Sequence, residues 1–145
     1  MQVSSKAYRI WRILFEHPNE WLDLSYLGHE ANMSNRQAST VIQTMGCSDI
    51  KRRDVPPDRV VQICLEVSDD ELRSLKRQVQ TIFYQIDDEV VENIRATLSP
   101  IGWTSAQDIA LATGYRGVRI YVAISMMDDV TSRDNGAYKA YMISS

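Results

Sequence analysis

The sequence predicts a mainly α protein with small β-hairpins, an α+β chain in which two like modules are joined by a linker helix. Three observations carry that expectation. Apolar side chains recur at helical spacing in several short stretches, most of them opened by a capping residue. Pairs of short strand-like segments flanking turn residues follow these stretches. The chain also aligns on itself without a gap at a shift of 82 positions, residues 8–45 falling on residues 90–127.

In that alignment Pro18 falls on Pro100, Trp21 on Trp103, Ile42 on Ile124 and Met45 on Met127. Leu27 meets Ile109, Met33 meets Tyr115, Ala38 meets Ile120 and Val41 meets Ala123. Identity is near the random level, so the paired Pro-x-x-Trp and the matched apolar phases are what mark the repeat. Beyond the block, Ile50-Lys51-Arg52-Arg53-Asp54 resembles Val130-Thr131-Ser132-Arg133-Asp134.

The first module is expected over residues 1–67. Ile10, Ile13 and Leu14 define a first helix that stops near His17-Pro18. Asp23 or Ser25 can cap a short second helix carrying Leu27 and Ala31. Ser34 and Gln37 form a capping box for a third, with Ala38, Val41, Ile42 and Met45 on one face. Two strands, residues 50–53 and 59–67, then surround Asp54-Val55-Pro56-Pro57-Asp58.

A linker helix is expected over residues 68–87, opened by the capping box Ser68-Asp69-Asp70-Glu71. Leu72, Leu75, Val79, Ile82 and Ile86 recur at alternating spacings of three and four, a short heptad seam. Such a seam packs either on its own modules or on the same helix of a second chain.

The second module, residues 88–145, repeats the first. Val90, Val91, Ile94 and Leu98 define its first helix, Thr104 with Gln107 a capping box, and Ile109, Ala112 and Thr113 its second helix up to Gly114. Ile120, Ala123, Ile124 and Met127 line its third helix. Asp134-Asn135-Gly136 is a hairpin turn before a strand over 138–143.

Helix, helix, turn, helix and hairpin, twice over, resembles the winged helix-turn-helix family of transcription regulators. Residues 24–45 with 50–67, and 106–127 with 130–143, carry that resemblance. It implies two tandem winged helix-turn-helix modules, a third helix that enters the major groove, and a wing lying along the phosphates. Some tandem members bind proteins instead.

The two third helices differ. In the first, Ser34, Asn35, Arg36, Ser39, Thr40 and Gln43 face outward, side chains suited to base edges and phosphates. Lys51, Arg52, Arg53 and Arg59 on the adjoining hairpin suit phosphates, unless they form a solvated turn paired with Asp54 and Asp58. In the second, Val118, Val122 and Met126 replace Arg36, Thr40 and Thr44, and Tyr121 joins them. Recognition of double-stranded DNA is therefore expected of the first module and protein contact of the second. A homodimer using one or both of two stripes, Leu72, Leu75, Val79 and Ile82, and Val118, Tyr121, Val122 and Met126, is expected, because so much apolar surface rarely stays bare. The rival reading is a tandem scaffold that binds protein and no DNA.

Charge and composition bound these readings. The net charge of −3 and pI near 5.3 argue against a non-specific nucleic-acid coat. Residues 1–68 carry eight basic and eight acidic side chains, while residues 88–145 carry five and seven, so phosphate contact belongs to the first module. The N-terminus leads into a helical pattern without a signal peptide's apolar core, no run is long enough to span a membrane, and the two cysteines suggest no disulfide framework. A cytoplasmic protein is expected. Catalysis, metal and cofactor are not. His17 and His29 lack further ligands at suitable spacing, Cys47 and Cys64 are unpaired in motif, and no Gly-rich phosphate loop or nucleophile elbow occurs. Trp21 and Trp103 read as core or short-strand residues.

Overall fold

The structure, a computed structural model, describes residues 1–134 and 138–144. It is an α+β fold of seven helices and two small antiparallel three-stranded sheets among the described residues. The chain divides into two compact units, Met1–Phe83 and Tyr84–Ser145.

The first unit begins with α1, Ser5–Glu16, whose N-cap Ser4 accepts a bond from the Ala7 amide. Ile10, Trp11 and Leu14 lie on its inner face and are fully buried. The helix ends at His17, and Asn19, at a left-handed φ of 62°, turns the chain toward the sheet. The Asn19 carboxamide donates to the Val67 carbonyl and accepts from the Val67 amide, closing the turn onto the far end of the sheet.

Strand β1, Leu22–Asp23, is followed at once by α2, Leu24–Glu30, and α3, Asn35–Met45. Arg9 on α1 donates to the Ala31 carbonyl at the end of α2, a cation where the helix dipole favours one. Gly28 lets the turn between α2 and α3 close, its carbonyl accepting from the Met33 amide at 2.8 Å. The Ser34–Gln37 capping box forms in both directions. Of the apolar face of α3, Ala38 and Met45 are buried, while Val41 and Ile42 are half-buried.

The hairpin comprises β2, Ile50–Val55, and β3, Val60–Leu65, and β1 adds to the free edge of β3. Helix α4, Asp69–Phe83, opens with the reciprocal Ser68–Glu71 bonds and packs on α1. Leu75 and Val79 are buried there, and Phe83 stacks on Tyr8 with ring centres 4.0 Å apart. Leu75 and Val79 of the heptad stripe thus serve the first unit, whereas Ile86, beyond the end of α4, is buried in the core of the second.

The second unit repeats the order: α5, Asp88–Arg95; β4, Thr104–Ser105; α6, Ala106–Thr113; α7, Gly117–Ser125; β5, Val130–Asp134; and β6, Lys139–Ile143. The strand order is β1-β3-β2 in one sheet and β4-β6-β5 in the other. Leu22, Ile63 and Arg52 form one row across the first sheet, as Thr104, Tyr141 and Ser132 do across the second. The two-residue strands β1 and β4 are too short to show a period in the sequence.

One cap differs from expectation. Thr104 is drawn into β4 and its hydroxyl bonds the Thr97 carbonyl, so Ser105 caps α6 by accepting from the Asp108 amide. Asp23 is the N-cap of α2 but makes no side-chain cap, its carboxylate accepting from Gln62 instead. The second core gathers Ile94, Ile109, Ile120, Ala123 and Tyr141, and Val122 is buried in it. The Asp134-Asn135-Gly136 turn lies partly outside the described residues, since 135–137 are not among them.

Candidate nucleic-acid interface

Each unit places a groove between its hairpin and the helix that precedes the hairpin. In the first, about 430 Å³ is bounded by Ser39, Ile42 and Gln43 of α3, residues 46–48, Ile50 and Arg52 of β2, and Ile63 of β3. In the second, about 350 Å³ is bounded by Tyr121, Ile124 and Ser125 of α7, Met127, Val130 and Ser132 of β5, and Tyr141 of β6, among others. Six of these positions correspond: Ser39 with Tyr121, Ile42 with Ile124, Gln43 with Ser125, Ile50 with Val130, Arg52 with Ser132 and Ile63 with Tyr141. The floor stays apolar in both units, but the rims are exchanged. Arg52 donates to the Ser39 hydroxyl at 3.4 Å across the first groove. At the equivalent places the second groove has Ser132 and Tyr121, with the Lys139 ammonium 4.6 Å from the Tyr121 ring centre.

Helix α3 presents Asn35, Arg36, Thr40 and Gln43 as exposed side chains, with Ser39 half-buried at the groove. Ser34 is committed to the capping box. The Thr40 hydroxyl donates to the Arg36 carbonyl, so it faces outward as an acceptor only. Arg36 and Gln43 carry guanidinium and amide donors, are both exposed, and stand two turns apart on one face.

The four hairpin cations do not act as one group. Side chains alternate across a pleated strand, and Arg52 pairs with Ile63 while Arg53 pairs with Gln62. Arg52 therefore shares the α3 side of the sheet, and Lys51 and Arg53 take the other. Arg53 is held there. Its guanidinium lies 4.1 Å from the Trp21 ring centre, its Nε donates to Gln62 at 2.8 Å, and Gln62 donates to Asp23 at 2.9 Å. Arg52 approaches Asp54 only at 4.0 Å, both half or more exposed, a contact worth at most about 1 kcal/mol. Arg59 is exposed at a left-handed φ of 52° in the connection between β2 and β3.

The Trp21–Arg53–Gln62–Asp23 relay was not legible as a site, although one signal pointed to it. Trp103 holds Arg133 in the same way, 5.0 Å from its ring centre. The paired Pro-x-x-Trp and the paired fourth residue of each hairpin are two halves of one recurring contact. Both tryptophans are partly exposed rather than core residues.

The residues expected at a protein interface separate into two sets. Leu75, Val79 and Val122 are buried within the chain, and Leu72, Ile82 and Met126 are half-buried. Val118 and Tyr121 remain exposed.

Titratable groups add little chemistry. Burial pushes the Cys64 thiol up, with Glu66 adding to it. The Asp129 carboxyl is held below its usual range by the bond from Arg95, a pair that ties α5 to the base of the second hairpin. His17 bonds Glu20 at 2.9 Å and His29 is exposed. Among the described residues no three His, Cys, Asp or Glu side chains gather as metal ligands, and no helix is long and apolar enough to cross a membrane.

No family model matches the sequence, and no curated protein is similar to it. The chain is similar to a solved structure, that of the DIP2311 protein from Corynebacterium diphtheriae, at 15% identity and a TM-score of 0.34. The match covers 94% of this chain and 26% of that one, so this chain spans about a quarter of that neighbour's length.

Proposed function

We propose that this protein is a cytoplasmic DNA-binding transcriptional regulator built from two tandem winged helix-turn-helix modules. The first module reads duplex DNA through α3 and its hairpin, and the second makes protein contacts; no cofactor takes part. One observation carries the reading: the exposed polar face of α3 and Arg52 of the hairpin border the same groove, joined by the Arg52–Ser39 bond. A helix flanked by a basic hairpin offers donors to base edges and to the adjoining backbone at once. The charge distribution supports the division of labour. Unit Met1–Phe83 has eleven basic and eleven acidic residues, and the rest of the chain has five and eight.

Arg36 and Gln43 read bases in this scheme, with Asn35, Ser39 and Thr40 beside them. Arg52 and Arg59 hold phosphates, Lys51 assists from the opposite face, and Arg53 is a cation fixed by Trp21 and Gln62. Selection from a random duplex pool at low salt tests the proposal. A preferred site should emerge. Arg36→Ala or Gln43→Ala should cost about 1–3 kcal/mol on it and relax its sequence preference. Arg52→Ala should weaken all duplexes alike and lower the salt slope by roughly one. A pool that enriches nothing replaces this reading with a tandem scaffold that binds protein alone.

A further inference from the structure

Helix α7 carries two exposed apolar side chains one turn apart. Val118 is 49% exposed and Tyr121 54%, and their spacing of three puts them on one face. At the same two places α3 has Arg36 and Ser39. Exposed apolar residues scattered singly need no explanation, but adjacent ones beside an apolar groove do. The groove between α7 and β5–β6 continues the face: Tyr121 forms one of its walls, and Ile124, Val130 and Tyr141 lie within it.

The charges around this face say what fits it. Arg133, Asp134 and Lys139 line the groove, and Asp128 is exposed just beyond the end of α7. Both signs are present in near balance around an apolar centre. A two-fold contact sets a patch against itself, so a patch of one sign repels its own copy and a mixed patch can pair with it. The α3 face lacks that balance: Arg36 and Arg52 stand on it, and Asp54 reaches Arg52 only at 4.0 Å. A polyanion is a poor occupant for the α7 face, since unit Tyr84–Ser145 carries five basic against eight acidic side chains.

We propose that the α7 face of the second unit, centred on Val118 and Tyr121, is a two-fold docking surface for a second copy of this chain. The contact buries the two apolar side chains against their own counterparts and matches Arg133 and Lys139 of one copy with the acidic rim of the other. The surface is separate from the proposed DNA-reading face, and its occupancy is measurable without DNA.

Sedimentation equilibrium of the full chain, from nanomolar to high micromolar concentration and without nucleic acid, tests it. The expected species at high concentration has twice the 16.6 kDa chain mass. The double variant Val118→Asp, Tyr121→Asp should lose at least about tenfold in self-affinity, as expected for charges placed at the centre of a contact. Both positions lie outside the core, so far-UV circular dichroism of this variant should match the parent. Val60→Asp, at an exposed apolar position of the other unit, should leave self-association unchanged. A monomer throughout the range overturns the proposal and leaves the face to a different protein. So does a dimer that persists in the double variant, or one lost equally in Val60→Asp.

Discussion

The guanidinium carbon of Arg53 lies 4.1 Å from the centre of the Trp21 ring. Arg133 stands 5.0 Å from Trp103 in the same relationship. In both units the last residue before the short first strand meets a residue of the second strand, and the contact pins the hairpin at its middle. In the first unit it lies on the side of the sheet away from the helix that borders the groove. In the first unit Gln62 and Asp23 extend the hold. In the second, Ala140 and Ser105 occupy those places and no such relay forms between them.

Arg53 and Trp21 should therefore be energetically coupled. A cation over an exposed aromatic face contributes about 0.5–1 kcal/mol. In a double-mutant cycle of Arg53→Ala and Trp21→Ala, the coupling measured by urea unfolding should be of that size. Trp21→Ala should cost more than Arg53→Ala, because the half-buried ring also loses its packing. Strictly additive effects would show that the two side chains are neighbours without interaction.

Gly28 should not tolerate alanine. A Cβ there would stand 2.8 Å from the Met33 carbonyl oxygen, a backbone atom held in place because the Met33 amide bonds the Gly28 carbonyl. Gly28→Ala should destabilise the protein by about 1–3 kcal/mol, the usual cost of overpacking. Gly117 provides the contrast: nothing lies within 4 Å of its would-be Cβ. Gly117→Ala should stabilise by about 0.4–1 kcal/mol through the unfolded chain. Equal midpoints for the two variants in chemical denaturation would refute the steric account.

Asp129 should give the second unit an acid-sensitive tie. The bond from Arg95 holds its carboxyl below the ordinary aspartate value of 3.8. A lowered folded-state value means that the stabilisation is complete above the ordinary value and is lost as pH falls through the lowered one. Asp129→Asn should be less stable than the parent at neutral pH, and the difference should shrink as the solution is acidified below 3.8. Denaturation midpoints for both proteins across that range give the test, and a gap independent of pH would exclude the ion pair as its source.

Local chemistry made much of this fold legible in the sequence. Ser34 with Gln37 and Ser68 with Glu71 satisfy orphan amides at helix starts using residues three apart, so both boxes could be read without a partner element. The apolar phases placed Leu27, Ala38, Ile109 and Ile120 on buried faces, because a helix fixes which residues share a side. The repeat followed from the same phases and from the paired tryptophans.

Other features depended on contacts distant in the chain. Thr104 and Ser105 compete for one cap; the Thr104 hydroxyl is engaged by the Thr97 carbonyl, and Ser105 takes the cap. Val118 and Val122 are one turn apart and chemically identical, yet Val122 is buried and Val118 is exposed. Only the direction in which α7 meets its core separates them. Arg52 and Arg53 are adjacent cations on one strand, and composition treats them alike. The register of β2 on β3 sends Arg52 toward Ser39 and Arg53 toward Trp21. The sequence by itself determined the order of the elements, most of their caps and their repetition, since those arise from interactions within a few residues. The tertiary structure alone decided which cations share the groove with α3 and which apolar side chains stay uncovered. Both outcomes depend on which face of a strand or helix its distant neighbours cover.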